Sequence, residues 1–240
     1  MDLSNAIGII TGASSGIGLA TTKLLSDAGA KLVITARRTE ALTKLASEAK
    51  TEVEVVAGDI GDPSLPDRLV EHAVAKFGKL DFVFNNAGIM HVGSVDSLDD
   101  ESITAMIRVN FEAATRLAYA AARRFKQQGH GDLITTSSIL GVKVRPMVGA
   151  YAGTKYAVEA LSESLRLELA GTGVRVMVIE PGFTKTHLQD HWPDSQKEGL
   201  KQITQPVRPE EIAGAVRFML EQPSHVVIPR LLMVPVEQTL

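Results

Sequence analysis

Three side chains with acid–base chemistry lie close together in the second half of the sequence. Tyr151 and Lys155 are four residues apart in a helical pattern, so they share one face of that helix. Ser138 precedes Tyr151 by 13 residues and follows a predicted strand. A phenol titrates at about pH 10, and a neighbouring ammonium lowers that pKa. We therefore expect Tyr151 to exchange a proton with a substrate oxygen, Lys155 to tune it, and Ser138 to bond the developing alkoxide.

A glycine-rich segment near the start of the chain has the composition of a phosphate-binding loop. Residues 11–18 read TGASSGIG, directly after a predicted strand and at the start of a predicted helix. Glycine lets the backbone turn sharply, and the first N–H groups of a helix attract a pyrophosphate. A plain structural turn uses the same residues, but the strand–loop–helix order favours a dinucleotide site. Its candidate ligands are Gly12, Ser14, Ser15, Gly16, Ile17 and Gly18.

Short apolar segments alternate with amphipathic helical patterns along the chain, and these elements must position the reactive groups. The predicted strands span residues 6–10, 31–35, 53–57, 81–84, 132–136, 174–179 and 230–236. The predicted helices span residues 16–28, 39–49, 65–77, 99–127 (two helices or one bent helix), 150–170 and 209–221. This alternation predicts an α/β, Rossmann-type, doubly wound fold: a seven-stranded parallel sheet with helices on both faces. Ligands of such sheets bind at the carboxyl ends of the strands.

The composition argues against several other classes of protein. The chain has 240 residues, a net charge of −3, 45% hydrophobic residues and no cysteine, which fits a single domain over residues 1–240. The histidines and carboxylates show no metal-ligand spacing, so we predict no metal. The charge argues against nucleic-acid binding, and no apolar run approaches the length of a membrane span. We expect a cytoplasmic protein.

The glycine loop is the first of several motifs that together resemble the short-chain dehydrogenase/reductase family. The others are Asp59-Ile60, Asn85-Asn86-Ala87-Gly88, Asn110, Ser138, Tyr151-x-x-x-Lys155 and Pro181-Gly182, and the match covers residue 6 to the last strand. The local sequences NNAGIM and IEPGFTKTHL resemble the subgroup of clavulanate-type aldehyde reductases and bacterial carbonyl reductases. The resemblance implies an oxidoreductase that uses a nicotinamide cofactor.

The resemblance also implies roles for individual residues. Asn110 joins Ser138, Tyr151 and Lys155 as a fourth catalytic residue, which supports a water-linked proton relay to the lysine. Tyr151 and Lys155 also contact the cofactor, the lysine at the nicotinamide ribose. The other implied cofactor contacts are Asp59 and Ile60 at the adenine, Asn86, Ala87 and Gly88 near the ribose, and Pro181, Gly182, Thr184 and Thr186 at the nicotinamide.

A homodimer or homotetramer is a further implication of the resemblance. The interface helices would be those over residues 99–127 and 150–170. Small and apolar residues suited to close helix packing are Ala113, Ala114, Leu117, Ala118 and Ala121. Packing in the core would use the same residues, so the pattern leaves both options open.

The end of the second predicted strand bears on the choice of cofactor. An acidic residue usually follows that strand in NAD sites and holds the ribose 2′-hydroxyl. Here Ala36 takes that position and Arg37 and Arg38 follow. A guanidinium forms charge-assisted bonds to a 2′-phosphate. The pattern favours NADP(H) over NAD(H), with Arg37 as the first phosphate contact, although one of the arginines could be a solvated loop charge.

The substrate pocket is predicted from the segments that follow Ser138 and Gly182. Residues 183–206 form a long connection after a strand, which is typical of a lid over a binding site. Apolar candidates for the pocket are Leu140, Met147 and Trp192, beside Ser138. Lys143 and Arg145 are either contacts for an anionic substrate or solvated loop charges, and His187 and His191 fit one face of a short helix.

Together the residues predict an NADP(H)-dependent oxidoreductase that interconverts an aldehyde or ketone and its alcohol. Hydride transfer needs a proton donor for the oxygen, and Tyr151 is that donor. Two alternatives are an NAD-linked dehydrogenase for a sugar or polyol, and a catalytically silent nucleotide-sensing or scaffold protein on the same fold. Ala36 speaks against the first, and the presence of Tyr151 and Lys155 against the second.

Overall fold

The computed structural model describes residues 1–190, 192 and 202–239, and a parallel sheet forms its centre. The strands are β1 (Ile7–Thr11), β2 (Lys31–Thr35), β3 (Val53–Val55), β4 (Phe82–Asn85), β5 (Gly131–Thr136), β6 (Val174–Pro181) and β7 (Arg230–Met233). Their order is β3-β2-β1-β4-β5-β6-β7. The predicted seven-stranded parallel α/β fold is confirmed. The order reverses between β1 and β4, where a crevice opens at the carboxyl ends.

Helices connect the strands and cover both faces of the sheet. They are α1 (Gly16–Asp27), α2 (Thr39–Glu48), α3 (Leu65–Phe77), α4 (Asp100–Met106), α5 (Ala114–Gln128), α6 (Gly149–Glu168) and α7 (Pro209–Glu221). A π-helical stretch, Ile107–Ala113, joins α4 to α5, so the segment predicted as two helices or one bent helix has a widened turn at its centre. Among the described residues, no helix is long and apolar enough to cross a membrane.

Alternate side chains of the buried strands pack into two separate hydrophobic cores, one on each face of the sheet. On one face, Ile10 and Phe84 pack with residues of α1, α2 and α7. On the other face, Ile9 and Val83 pack with residues of α3, α5 and α6. Because both faces are covered, the central strands are apolar throughout rather than alternating with polar residues.

Several strand ends differ from the sequence prediction. β6 ends at Pro181 instead of residue 179, and β4 ends at Asn85 instead of residue 84. β3 ends at Val55 instead of residue 57, and β7 ends at Met233 instead of residue 236. Both are edge strands with one neighbour each, and their last paired residues are Val55 opposite Ile34 and Met233 opposite Pro181. β1 is shifted one residue later and includes Thr11, which pairs in register with Thr35 of β2.

The amino-terminal edge of the sheet is held by a buried ion pair. Arg175 of β6 donates two hydrogen bonds to the Asp132 carboxylate of β5, at 2.6 and 2.5 Å, and the two side chains are 7% and 4% exposed. The same guanidinium donates to the carbonyls of Leu220 and Gln222 at the end of α7. Its remaining N–H groups are thus satisfied, which a buried charge requires.

The small residues considered for a subunit interface lie in the core. Ala113, Ala114, Leu117, Ala118 and Ala121 are all at most 4% exposed. Their side chains face the sheet, and most of them pack with Val83 and Leu133. They are therefore core residues, and a partner subunit would have to contact other side chains of these helices.

Candidate active site

A cleft of about 1000 Å³ opens at the carboxyl edge of the sheet. The candidate residues that line it are Gly12, Ser14, Ser15, Gly16, Ile17, Arg37, Arg38, Asp59, Ile60, Asn86, Ala87, Gly88, Tyr151, Lys155 and Thr186. Other candidates lie behind this wall or beside it: Gly18, Asn110, Ser138, Pro181, Gly182 and Thr184. The cleft therefore unites most of the predicted cofactor contacts with the two central acid–base groups.

The glycine loop forms one end of the cleft and keeps the first turn of α1 open to a ligand. Gly12 and Gly16 have φ angles of 68° and 53°, a region that favours glycine. A Cβ atom on Gly18 would lie 2.4 Å from the Gly12 carbonyl oxygen, so Gly18 serves close helix–loop packing. Within the described chain, no side chain caps the N–H groups at the start of α1 and its first turn has no acidic residue. The loop thus fits an anionic ligand.

Two threonines at strand ends fix the loop after β4. The hydroxyl oxygen of Thr11 accepts hydrogen bonds from the backbone N–H groups of Asn86 and Ala87, both at 2.9 Å. The Thr136 hydroxyl donates to the Asn86 side-chain oxygen at 3.1 Å, and Asn86 Nδ2 donates to the Thr11 carbonyl. Asn86 therefore ties β1, β4 and β5 together. Neither threonine was predicted as a site residue, although each has a recognisable signal: a hydroxyl residue that ends an apolar strand.

The acid–base groups are buried at the other end of the cleft. Tyr151 and Lys155 are 5% and 4% exposed. Lys155 Nζ donates to the Thr136 carbonyl oxygen at 2.8 Å and lies 5.7 Å from the centroid of the Tyr151 ring. The Ser138 hydroxyl lies close enough to the Tyr151 phenol to lower its pKa, and it accepts a hydrogen bond from the backbone N–H of Leu140 at 3.1 Å. The predicted trio is thus brought together.

Burial controls the protonation of this pair more than their mutual interaction does. Burial raises the pKa of Tyr151 to about 12, although the neighbouring Ser138 hydroxyl acts in the opposite direction and lowers that pKa. Burial also lowers the pKa of Lys155 to about 8, although the negative charge of Glu159 acts in the opposite direction and raises that pKa. The expectation of a phenol pKa below its ordinary value is therefore wrong. At neutral pH the phenol keeps its proton and Lys155 is mostly an ammonium.

Asn110 lies within the π-helical stretch, and its amide holds the chain that follows Gly88. Its Oδ1 accepts from the Ile89 N–H and its Nδ2 donates to the Ile89 carbonyl, both at 2.8 Å. Nδ2 also donates to the Thr154 hydroxyl at 3.2 Å. A Cβ on Gly88 would lie 3.4 Å from Asn110 Oδ1 and 3.8 Å from Lys155 Nζ. Asn110 and Lys155 therefore approach each other across this glycine.

A charged cluster that the sequence did not reveal lies behind Lys155. Glu159 follows Lys155 by one helical turn, and its carboxylate is 3.1 Å from the Arg230 guanidinium. Arg230 also pairs with Glu180 at 2.7 Å. The two carboxylate side chains are 11% and 4% exposed. With Lys155 ionised, the four charges balance.

The adenosine end of the cleft contains both arginines. Arg38 is anchored to the glycine loop, because its guanidinium donates to the Ser14 carbonyl at 3.0 Å and to the Ser14 hydroxyl at 3.2 Å. Arg37 is exposed beside it and also lines the cleft. The Asp59 carboxylate accepts from the Gly61 N–H at 2.9 Å. Asp59 thus caps a turn as well as facing the cleft with Ile60.

The predicted substrate residues occupy different positions. Two further apolar residues, Met90 and Leu188, line the cleft itself. Leu140 and Trp192 are buried with Tyr151 in an apolar cluster, and Trp192 Nε1 donates to the Met90 carbonyl at 3.2 Å. Met147 is 47% exposed and has a φ angle of 70°. Met147 is therefore a surface residue that does not line the cleft, whereas Leu140 and Trp192 pack behind the wall.

The segment after β6 is described at both of its ends. The Thr186 hydroxyl accepts from the Leu188 N–H and starts a short 3-10 turn, His187–Gln189. The Thr184 hydroxyl donates to the Gly182 carbonyl and is 5% exposed. Thr186 therefore faces the cleft and Thr184 faces inward. His191 and much of the predicted lid (residues 193–201) lie outside the described residues. Among those described, no three acidic or histidine side chains are grouped to hold a metal.

The chain is similar in sequence and fold to several known proteins. The family model described as short chain dehydrogenase matches residues 6–197. An uncharacterized oxidoreductase of Listeria monocytogenes is 37% identical over 234 residues, which is 94% of each chain. An alcohol dehydrogenase of the archaeon Thermococcus sibiricus, solved with 5-hydroxy-NADP, has a TM-score of 0.86, 30% identity and 98% coverage of both chains. A 3-ketoacyl-(acyl-carrier-protein) reductase of Brucella melitensis, solved with NADH, has a TM-score of 0.89, 27% identity and coverage of 98% and 99%.

Proposed function

Because this chain belongs to the short chain dehydrogenase family, we propose that it is an NADP(H)-dependent oxidoreductase interconverting an aldehyde or ketone and its alcohol. The observation that supports this best is the continuity of the cleft. One cavity runs from the glycine loop and two arginines to a buried phenol and ammonium. A nucleotide-binding end and a proton-transferring end in one cavity are what hydride chemistry on a carbonyl requires.

The cofactor would lie along this cleft with its pyrophosphate at the start of α1. Arg37 and Arg38 would hold the 2′-phosphate, with Arg38 already oriented by Ser14. Asp59 and Ile60 would contact the adenine, and Asn86, Ala87 and Gly88 the ribose region. Lys155 would hold the nicotinamide ribose, with Pro181, Gly182, Thr184 and Thr186 around the nicotinamide. When bound, the reduced nicotinamide supplies the hydride.

The residues of the chain handle the proton and the developing charge. At neutral pH Tyr151 is protonated, as carbonyl reduction requires, and it donates its proton to the substrate oxygen. The Lys155 ammonium then stabilises the phenolate, and the Ser138 hydroxyl bonds the developing alkoxide. Lys155 then passes a proton to the Tyr151 phenolate, and a water-linked relay returns a proton from solvent to Lys155. Asn110, which holds the backbone at Ile89, supports this relay. In alcohol oxidation the same groups act in reverse.

The apolar cluster behind the cleft supports a substrate with an uncharged, largely apolar body. Met90 and Leu188 face the cleft, and Leu140 and Trp192 pack behind them. This agrees with the local resemblance to aldehyde and carbonyl reductases in NNAGIM and IEPGFTKTHL. Residues 1–240 would act as a single domain, with 183–206 bordering the substrate.

Self-association would use exposed apolar side chains of the helices over residues 100–168. Ile107, Tyr119 and Leu167 are between 42% and 65% exposed. Burying such side chains against a second copy by two-fold symmetry would give a dimer or tetramer. A single monomer mass in light scattering at working concentration would contradict this part of the proposal.

A cofactor titration followed by a carbonyl screen tests the function. We expect tighter binding of NADPH than of NADH by nucleotide fluorescence, and NADPH oxidation with an aldehyde or ketone from a broad panel. Tyr151→Phe should abolish turnover and leave NADPH affinity nearly intact. The matched control is Tyr156→Phe, which changes a 42% exposed phenol on the same helix. Near-normal reductase activity of Tyr151→Phe would overturn the mechanism, and tight NADPH binding without any turnover would favour a silent nucleotide sensor.

A further inference from the structure

The last residues of the chain contact both ends of the segment that follows β6. Gln238 Oε1 accepts a hydrogen bond from the Phe183 N–H at 2.8 Å. The Glu237 carboxylate accepts from the N–H of Thr204 at 2.5 Å, from its hydroxyl at 2.6 Å, and from the Gln205 N–H at 3.1 Å. Two consecutive side chains therefore hold two stretches of chain that are far apart in sequence.

The two stretches also pair with each other. The tail, Glu237 and Gln238, contacts both and completes a compact junction. The Lys185 N–H donates to the Val207 carbonyl at 2.9 Å, and the Val207 N–H donates to the Phe183 carbonyl at 3.0 Å. The end of β7 is joined to the same stretch, because the Gly182 N–H donates to the Met233 carbonyl at 2.7 Å. A Cβ on Gly182 would lie 2.5 Å from Gln238 Oε1. The glycine is what allows the Gln238 amide to reach the Phe183 N–H.

We propose that Gln238 and Glu237 are positioning residues that hold the Phe183–Thr186 backbone where the nicotinamide binds. This inference rests on the proposed function, which places Thr184 and Thr186 at the nicotinamide. Neither tail residue lines the described part of the cleft, so each acts through the backbone that it holds. The Phe183 N–H that Gln238 fixes lies one residue before Thr184, and rotation of that peptide would displace the following threonines.

Glu237 acts at the other end of the segment as an ionised acceptor. Its hydrogen bonds from Thr204 and Gln205 lower the pKa of its carboxyl. One carboxylate satisfies three donors there, which an amide oxygen would not match in strength. The tail thus fixes Thr204 and Gln205 next to the Thr184–Val207 pairing.

The test compares Gln238→Met with Gln238→Glu. Methionine keeps the size of the side chain and removes the acceptor, whereas glutamate keeps an oxygen for the Phe183 N–H. Loss of one such bond corresponds to about a three- to tenfold change in an equilibrium constant. We expect Gln238→Met to weaken NADPH binding by that factor and to speed hydrogen exchange of the Phe183 amide, with Gln238→Glu close to wild type. Glu237→Gln should speed hydrogen exchange of the Thr204 and Gln205 amides and raise KM for NADPH more than it lowers kcat. The control is Glu210→Gln at an exposed position, which should change neither the exchange nor the kinetics.

Urea unfolding first shows which variants remain folded, and this result determines which variant carries the test. If Gln238→Met is folded, exchanges Phe183 faster and still binds NADPH within twofold of wild type, the positioning role is overturned. If Gln238→Met does not fold, normal exchange and normal kinetics of Glu237→Gln would overturn it instead. A wild-type protein that binds no nicotinamide nucleotide would sink the proposed function itself, and the positioning inference with it.

Discussion

Replacing Lys155 by methionine should make the ligand-free protein more stable at pH 7. Burial lowers the pKa of this ammonium from 10.5 to about 8, and each pKa unit corresponds to 1.36 kcal/mol. Keeping the buried ammonium charged therefore costs about 3 kcal/mol at neutral pH. The lost hydrogen bond to the Thr136 carbonyl offsets about 1 kcal/mol. The net expectation is a gain of about 2 kcal/mol in the free energy of unfolding.

The pH dependence of that gain identifies its cause. Between the folded pKa of about 8 and the unfolded pKa of 10.5, the unfolded chain binds more protons, so wild-type stability rises with pH in this window. The advantage of Lys155→Met should be complete below pH 8 and disappear towards pH 10.5. Urea unfolding followed by circular dichroism measures this difference in the free energy of unfolding. The control is Lys44→Met, which replaces a lysine whose side chain is 78% exposed. A variant that is less stable than wild type at pH 7, or a gain that persists at high pH, would refute the reasoning.

Three further substitutions separate cofactor choice, alkoxide stabilisation and folding. Arg37→Asp, best combined with Ala36→Asp, should weaken NADPH binding by about 1.5–3 kcal/mol and spare NADH; equal wild-type affinities for the two nucleotides would contradict the assignment. Ser138→Ala should lower kcat by roughly 10²–10³ in steady-state assays with little change in NADPH affinity, and unchanged kcat would remove Ser138 from the mechanism. Asp132→Ala leaves a buried guanidinium unpaired and should lower the free energy of unfolding in urea by about 3–5 kcal/mol; a loss below about 1 kcal/mol would show that the pair does not hold the sheet.

The sequence predicted the elements well because their signals are local. Helix α3 begins and ends where predicted, with a proline in its first turn and Gly78 in the left-handed region at its end. Each central strand is a short apolar run, which identifies a buried strand without information from distant residues. The carboxyl-edge location of Ser138, Tyr151 and Lys155 follows from the same alternation.

Features that depend on distant contacts could not be predicted in this way. The π-helical turn around Asn110 is fixed by bonds to Ile89 and Thr154, which the local sequence does not encode. The pairing of Glu159 with Arg230 joins a central helix to an edge strand. The raised pKa of Tyr151 reflects how completely the folded chain excludes water from the phenol. Tertiary packing decides all three properties.

The amino and carboxyl ends of the strands have different roles, one in stability and one in binding. This separation has a consequence for how such a protein can evolve. Arg175 and Asp132 secure the amino edge, whereas the residues of the cleft project from the carboxyl edge. Substitutions that reshape the carboxyl-edge loops leave the ion pair and its carbonyl contacts intact. New substrates can then be acquired by loop drift at little cost in stability, as long as the amino edge is inherited unchanged.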